Sequence, residues 1–488
     1  MLVIRSEPPF VAREKAFTFQ VDAVEAIKNL PYAAIFHEQG LGKTKIAIDL
    51  ALTWISSKSL DSVLIVTKKS LVENWLQEIR THSFLAPKVL GQDRRANFFC
   101  FNSPARIYLT HYEVCRSEEK RLKLFQKTRR LGVICDEAQK IKNPNSILTK
   151  VMFGLAPGFL KRVIMTGTPI ANRPYDIWSL IWFLDQGRSL GSNFEEFRTD
   201  FDLSNALATD VQKEAGFRSR LGSLYTKIQS FTVRETKSSV DIELPQKEIH
   251  TVFTDFEPRQ KEMYFAFRDD LRATIRRDGR ELVDSAEDIL KRLLRLVQVA
   301  SNPSTIDESY RLIPGKFTAL TRILQESQRA QTKAVVWSSF IENVDWLHRA
   351  LREYNPVKLH GKMSIDVRNA AIERFKTDAT CRVLIATPGA AKEGLTLTVA
   401  SYAVFFDRSF SLDDYLQAQD RIHRISQTRP CHVFNLIMRD SVDEWVDMLL
   451  ASKHVAAQLG QGDIDATEYD RKMSYDFAIM LKGVLGDE

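Results

Sequence analysis

The chain has 488 residues, enough for two large domains or about three of ordinary size. Hydrophobic residues make up 44% and charged residues 27%, which excludes wholesale disorder. The 69 Lys+Arg against 62 Asp+Glu leave a net charge of +7, an excess that permits a nucleic-acid partner without demanding one. The 5 cysteines (Cys100, Cys115, Cys135, Cys381, Cys431) are scattered, with no C-x-x-C pair. That argues against a disulfide framework and for a reducing compartment. The 9 histidines show no H-x-x-x-H or similar zinc spacing. Residues 1–10 hold Arg5, Glu7 and two prolines, so they lack a signal-peptide core, and no apolar stretch is long enough to span a bilayer. No membrane association and a cytoplasmic location are expected, nucleoid-associated if the source is bacterial.

Taken in chain order, short β-branched runs at 33–36, 63–66, 133–135 and 163–165 are each followed by helix-length sequence. This pattern predicts buried parallel strands and an α/β lobe. The series stops near residue 185 and resumes at 334–337, 383–386, 404–406 and 433–436, a second α/β lobe. Residues 186–300 are charged and helical in periodicity, and a short helix is expected near 475–485 in a polar tail.

The strand at 33–36 runs into His37-Glu38-Gln39-Gly40-Leu41-Gly42-Lys43-Thr44 and then a helical run. Strand, Gly-rich loop, Lys-Thr and helix form the setting of a phosphate-binding loop. Gly40 and Gly42 let backbone N–H groups turn onto phosphate oxygens, Lys43 reaches the β/γ-phosphates, and Thr44 is a Mg²⁺ ligand. His37 stands where the motif has its first glycine. Asp136 follows the run 133–135, at the carboxyl end of a parallel strand where nucleotide crevices lie. It is the second Mg²⁺ candidate, and Glu137 beside it can orient and deprotonate a water.

With Asp136-Glu137-Ala138-Gln139 followed by Lys140-Ile141-Lys142-Asn143-Pro144, the chain resembles the Swi/Snf-type branch of superfamily-two, DEAD/DEAH-like helicases. The resemblance covers roughly residues 15–455, with the motifs in family order. It implies two tandem RecA-like lobes, ATP and Mg²⁺ as cofactors, and double-stranded DNA as partner. By residue it implies that Gln20 reads adenine, that Lys68, Lys69, Ser70 and Thr110 face the DNA backbone, and that Thr166 and Thr168, with Gln139, couple hydrolysis to lobe movement. In the second half it implies that Gly394 helps bind ATP and that Ser339 and Gln417 contact DNA or couple it to hydrolysis. Arg421 and Arg424, in Gln417-Ala418-Gln419-Asp420-Arg421-Ile422-His423-Arg424, match the arginines that reach the nucleotide. Their spacing of three predicts that they lie on one helical face. The family has Asp where His37 stands, His for Gln139, and glycine where Lys392 stands. Arg234-Glu235-Thr236-Lys237 with Glu243-Leu244-Pro245 resembles the inter-lobe crossover. Two helical protrusions around it favour this branch over a DEAD-box RNA helicase.

The expected organisation is lobe 1 over 1–235, with a first helical protrusion from about 186, crossover and second protrusion over 236–312, lobe 2 over 313–460, and a tail over 461–488. The expected function is an ATP-dependent double-stranded-DNA translocase that does not separate strands, with a protein partner supplying specificity. A strand-separating DNA or RNA helicase, a DNA-binding subunit with a degraded ATPase, and the motor subunit of a nuclease-containing restriction or phage-defence system are the alternatives.

Overall fold

A computed structural model describes residues 7–170, 172–201, 211–277, 286–391 and 395–472. The expected helix near 475–485 lies outside them. The chain divides into two units. The first is Met1–Ile242 with Ala457–Glu468, and the second is Glu243–Ala456 with Tyr469–Glu488.

The first unit is built on β1 (Tyr32–Ile35), β2 (Ser62–Thr67), β3 (Lys88–Val89), β4 (Ile107–His111), β5 (Leu131–Cys135), β6 (Lys161–Met165) and β7 (Thr232–Val233). The sheet order is β3-β4-β2-β5-β6-β1-β7 and every pairing is parallel. β2, β4 and β5 are buried at every position, which explains the apolar runs at 63–66 and 133–135: both faces meet helices. On one face the helices Thr18–Ile27, Lys43–Ser56 and Val72–His82 close a core around Ile46, Leu50, Trp54 and Trp75.

The second unit holds β8 (Lys247–Thr254), β9 (Lys333–Trp337), β10 (Val357–Leu359), β11 (Val383–Ala386), β12 (Ala400–Phe405) and β13 (Cys431–Met438). Their order is β10-β11-β9-β12-β13-β8, again all parallel. Each unit is therefore the α/β lobe that the sequence predicts. Among the described residues, no helix is long and apolar enough to cross a membrane.

Not every strand is visible as an apolar run. β3, β7 and β10 are two or three residues long. β7 and β8 lie inside the stretch whose sequence reads as helical, among the helices Phe194–Phe201, Val211–Ile228, Pro258–Arg277 and Ala286–Ser301. β8 is an edge strand with alternating exposure, so it carries Lys247, Glu248 and His250 where a central strand would be apolar.

The segment Ala457–Glu468 belongs to the first unit. Asp463 takes both Arg234 Nε, at 2.6 Å, and the second Arg234 amino group, while Arg234 Nη1 donates to Phe36 O at 2.6 Å. Gln461 Nε2 donates to Ile170 O at 3.1 Å. The Arg234 and Asp463 side chains are only 9% and 15% exposed, so removing one partner strands a poorly solvated charge. Asp463→Ala is expected to destabilise the first unit by roughly 3 kcal/mol. Urea unfolding followed by circular dichroism, with hydrogen exchange over 457–468, measures it.

Candidate active site: a phosphate loop and an acidic pair

The loop after β1 is tightly specified. Gly40 and Gly42 have φ of +88° and +71°, conformations that side chains with a Cβ rarely adopt. A Cβ on Gly42 would also lie 2.4 Å from Gln20 Nε2. Gln20 is buried in the first turn of its helix, donates to Leu41 O at 3.1 Å, and accepts from Phe17 N at 3.1 Å. The glutamine is thus braced against the loop backbone. Lys43 begins the helix Lys43–Ser56 and donates to His37 O at 2.9 Å and Glu38 O at 3.3 Å. The loop is also held from β7: Phe36 N–H donates to Val233 O and Glu38 N–H to Glu235 O. Lys237 N–H reaches Glu38 Oε2 at 2.7 Å. Arg234, Glu235 and Lys237, quoted in the sequence only as part of a crossover, are therefore structural supports of the loop.

Asp136 follows β5. Its Oδ2 accepts from Trp75 Nε1 at 2.8 Å and Thr67 Oγ1 at 3.1 Å, and its Oδ1 accepts from Glu137 N at 2.9 Å. Tyr112 OH donates to Asp136 O at 2.8 Å. Burial and the neighbouring Glu137 charge push the Asp136 carboxyl above the usual range, and the Trp75 N–H, Lys43 and Thr67 pull it back. Glu137 has φ +49°, a left-handed conformation for a residue with a side chain, and Lys68 Nζ lies 3.4 Å from its carboxylate. The sequence gives no individual role to Thr67, Trp75 or Tyr112. No signal in the sequence points to Thr67: it falls beside Asp136 because Val66 pairs with Cys135 in the sheet.

β6 lies between β1 and β5, so Thr166, Gly167 and Thr168 emerge between the phosphate loop and the acidic pair. Thr166 N–H donates to Ile35 O at 3.2 Å. A Cβ on Gly167 would lie 2.4 Å from Gln39 Cγ and 3.2 Å from Lys43 Nζ. On the other side Gln139 Nε2 donates to Thr168 Oγ1 at 3.3 Å, and Thr168 N–H donates to Thr166 Oγ1 at 3.1 Å. The other amide end of Gln139, Oε1, is buried without a hydrogen-bond partner. Nucleotide and Mg²⁺ fit these residues. The loop offers Lys43 and the left-handed glycines Gly40 and Gly42, while Asp136 and Thr44 supply the oxygen donors that Mg²⁺ favours. A divalent cation would also offset the repulsion between adjacent carboxylates.

Comparison with known proteins bears on the same residues. Residues 29–305 match the SNF2-related domain and residues 315–426 the helicase conserved C-terminal domain. The chain belongs to the SNF2-related family. It is 30% identical over 456 residues to chromodomain-helicase-DNA-binding protein 1-like of Danio rerio, covering 89% of this chain and 43% of that protein. It is 27% identical over 437 residues to an ATP-dependent helicase of Mycoplasma genitalium, covering 87% and 40% respectively. The chain thus spans less than half the length of these relatives. A solved SWI2/SNF2 ATPase core from Sulfolobus solfataricus, in complex with double-stranded DNA, is 25% identical, with 99% of each chain covered and a TM-score of 0.43.

The remaining family positions are distributed unevenly. Lys69 is exposed and Ser70 half-buried in the turn Lys69–Leu71. Thr110 is fully buried and its hydroxyl donates to Leu90 O at 3.0 Å, so it offers no exposed atom to a DNA phosphate. In the second unit, Gln417 is buried and donates to Asp413 Oδ1 at 2.7 Å. Ser339 N–H donates to Asp407 Oδ1 at 2.6 Å, with Ser338 Oγ and Asn343 Nδ2 on the other oxygen. Burial pushes that Asp407 carboxyl up. Gly394 and Lys392 lie outside the described residues.

The arginines do not lie on a helix, contrary to the expectation from their spacing. The helix Leu412–Gln419 ends before them, so Arg421 and Arg424 stand in successive turns and share no helical face. Gln427 Nε2 braces these turns, donating to Ile422 O at 2.8 Å and Ala400 O at 3.0 Å. Arg424 Nε donates to Asp420 O and Nη1 to Thr396 Oγ1, both at 3.0 Å.

His37, the departure in the SNF2-related loop, is 1% exposed with Nε2 unpartnered and Nδ1 3.4 Å from Val233 O. Burial, helped by Lys43, lowers its pKa to about 4. A histidine kept neutral by the fold stabilises it fully above the unfolded value of about 6.5, and that stability is lost as pH falls towards the folded value. Between pH 7 and pH 5 the first unit is expected to lose about 2 kcal/mol through His37. Urea titrations at the two pH values measure this, and His37→Gln is expected to remove that share of the slope.

Proposed function

We propose that the chain is an ATP-driven motor that translocates along double-stranded DNA without separating its strands. The observation that carries the nucleotide chemistry is the placement of Lys43 and the Asp136–Glu137 pair at the carboxyl ends of β1 and β5, with Thr166-Gly167-Thr168 between them. In this reading Lys43 and the loop N–H groups bind the phosphates, and Asp136 with Thr44 holds Mg²⁺. The bound ion supplies charge neutralisation at the phosphates. Glu137, fixed by its backbone conformation and by Lys68, accepts a proton from the attacking water. Gln139 and Thr168 relay the state of the acidic pair to the loop after β6. Arg421 and Arg424 are the cationic groups of the second unit in the same reaction.

Duplex DNA as the track is supported by family membership and by the names of the relatives, which include chromodomain-helicase and ISWI chromatin-remodelling proteins. A motor that follows one backbone avoids the roughly 1–2 kcal/mol per base pair that melting costs. Specificity for a target then falls to a protein partner. Strand separation is the second reading, favoured by the name of the Mycoplasma relatives.

Glu137→Gln is expected to bind ATP but to turn over about 10²–10⁴-fold more slowly, because the amide cannot take the proton. Phosphate release with a nucleotide-binding assay tests this, and wild-type turnover would remove Glu137 from the mechanism. Arg424→Lys is expected to cut turnover by about 10³-fold or more at nearly unchanged ATP affinity. Lost affinity at normal saturating turnover would assign it another role.

DNA should stimulate hydrolysis, with binding that weakens steeply as salt rises. On the track itself, ATP-dependent displacement of a triplex strand is expected, without release of a strand from a forked duplex. Fork unwinding would establish the helicase reading instead.

A further inference from the structure

The amino end of edge strand β8 places Glu248 and His250 two residues apart, and the parallel register sets His432 of β13 directly opposite Glu248. The alternation of a strand turns all three side chains to one face. Their polar atoms form a near-equilateral triangle. His250 Nε2 is 3.3 Å from His432 Nδ1 and 3.5 Å from Glu248 Oε2, and His432 Nδ1 is 3.3 Å from the same carboxylate oxygen.

Protons alone satisfy this triangle poorly. Two imidazole nitrogens and one carboxylate oxygen face a common centre, and one N–H between the rings leaves another edge as two facing acceptors. A metal ion satisfies all three at once. Tetrahedral zinc with bonds of about 2.0–2.1 Å holds neighbouring ligand atoms about 3.3–3.4 Å apart, the spacing found here. The ring planes are fixed by neighbours. His250 stacks on Phe434 at 4.7 Å between centroids, and His432 packs on Tyr402 at 5.1 Å. Side-chain exposures of 38%, 27% and 40% for His250, His432 and Glu248 leave an entry path and room for a water in a fourth position.

We propose that Glu248, His250 and His432 form a binding site for a zinc-class divalent transition metal that clamps edge strand β8 to β13. Two imidazoles and one carboxylate suit zinc and its neighbours and are too nitrogen-rich for Mg²⁺. The clamp acts where the second unit begins. Cys431 N–H donates to Gln246 O beside it, and His423 Nε2 lies 2.8 Å from Pro245 O, so the start of β8 also anchors the arginine-bearing turns.

The test uses the full chain stripped with chelator. Isothermal titration with Zn²⁺ is expected to show one equivalent bound and a raised melting temperature, neither affected by excess Mg²⁺. The double substitution His250→Ala, His432→Ala is expected to lose both effects, and Glu248→Gln to weaken binding. The metal-free melt of each variant reports whether it folds. X-ray absorption at the zinc edge of the wild-type protein, which needs no variant, should show two imidazoles and no sulfur. A sulfur shell, undiminished binding by the double variant, or no bound equivalent in the wild type would each overturn the proposal.

Discussion

The position of β6 between β1 and β5 is the constraint on which the first unit's chemistry depends. Because all three strands are parallel, their carboxyl ends leave the sheet on one edge, side by side. The loop after β1 carries Lys43, the loop after β5 carries Asp136 and Glu137, and the loop after β6 has to pass between them. It does so with Gly167, whose missing side chain lets Gln39 and Lys43 close in, and with Thr168, which takes the Gln139 amide. A side chain at Gly167 would push the phosphate loop away from the loop after β6.

Around that core, the acidic pair is held from outside the sheet. Trp75 and Thr67 aim their donors at the Asp136 carboxylate and Tyr112 at the Asp136 main-chain carbonyl, so the carboxylate keeps its orientation although burial and Glu137 work against its charge. The phosphate loop has its own supports in Gln20 and in the strand-like segment at Arg234 and Glu235. Asp463 extends that support to a segment more than two hundred residues further along the chain. Loops that bind phosphates need this external bracing because most of their own backbone N–H groups turn toward the ligand and leave few to bond one another.

The second unit repeats the parallel plan with a different set of polar anchors. Asp407 ties the loop after β9 to the helix Ile341–Ala350 through Ser338, Ser339 and Asn343. Gln427 shapes the turns that carry Arg421 and Arg424. The metal clamp proposed at Glu248, His250 and His432 fits an edge strand that pairs on one side only, where a single added bond set replaces a missing neighbour strand.

The sequence by itself determined the two α/β lobes, because strands buried on both faces read as apolar runs, as at 63–66 and 133–135. It also determined the phosphate loop and the Asp136–Glu137 pair, since Gly40, Gly42, Lys43 and the acidic pair are local patterns with fixed spacing. Edge and two-residue strands such as β8 and β7 were illegible, because partial exposure or shortness removes the apolar signal. Only the tertiary structure decided that Thr110 faces the interior and that the arginines sit in turns, which Gln427 braces against Ala400, 27 residues away in sequence. Only the tertiary structure, likewise, brought His250 and His432 together across 182 residues, since strand register is set by sheet order and leaves no trace in the spacing of the chain.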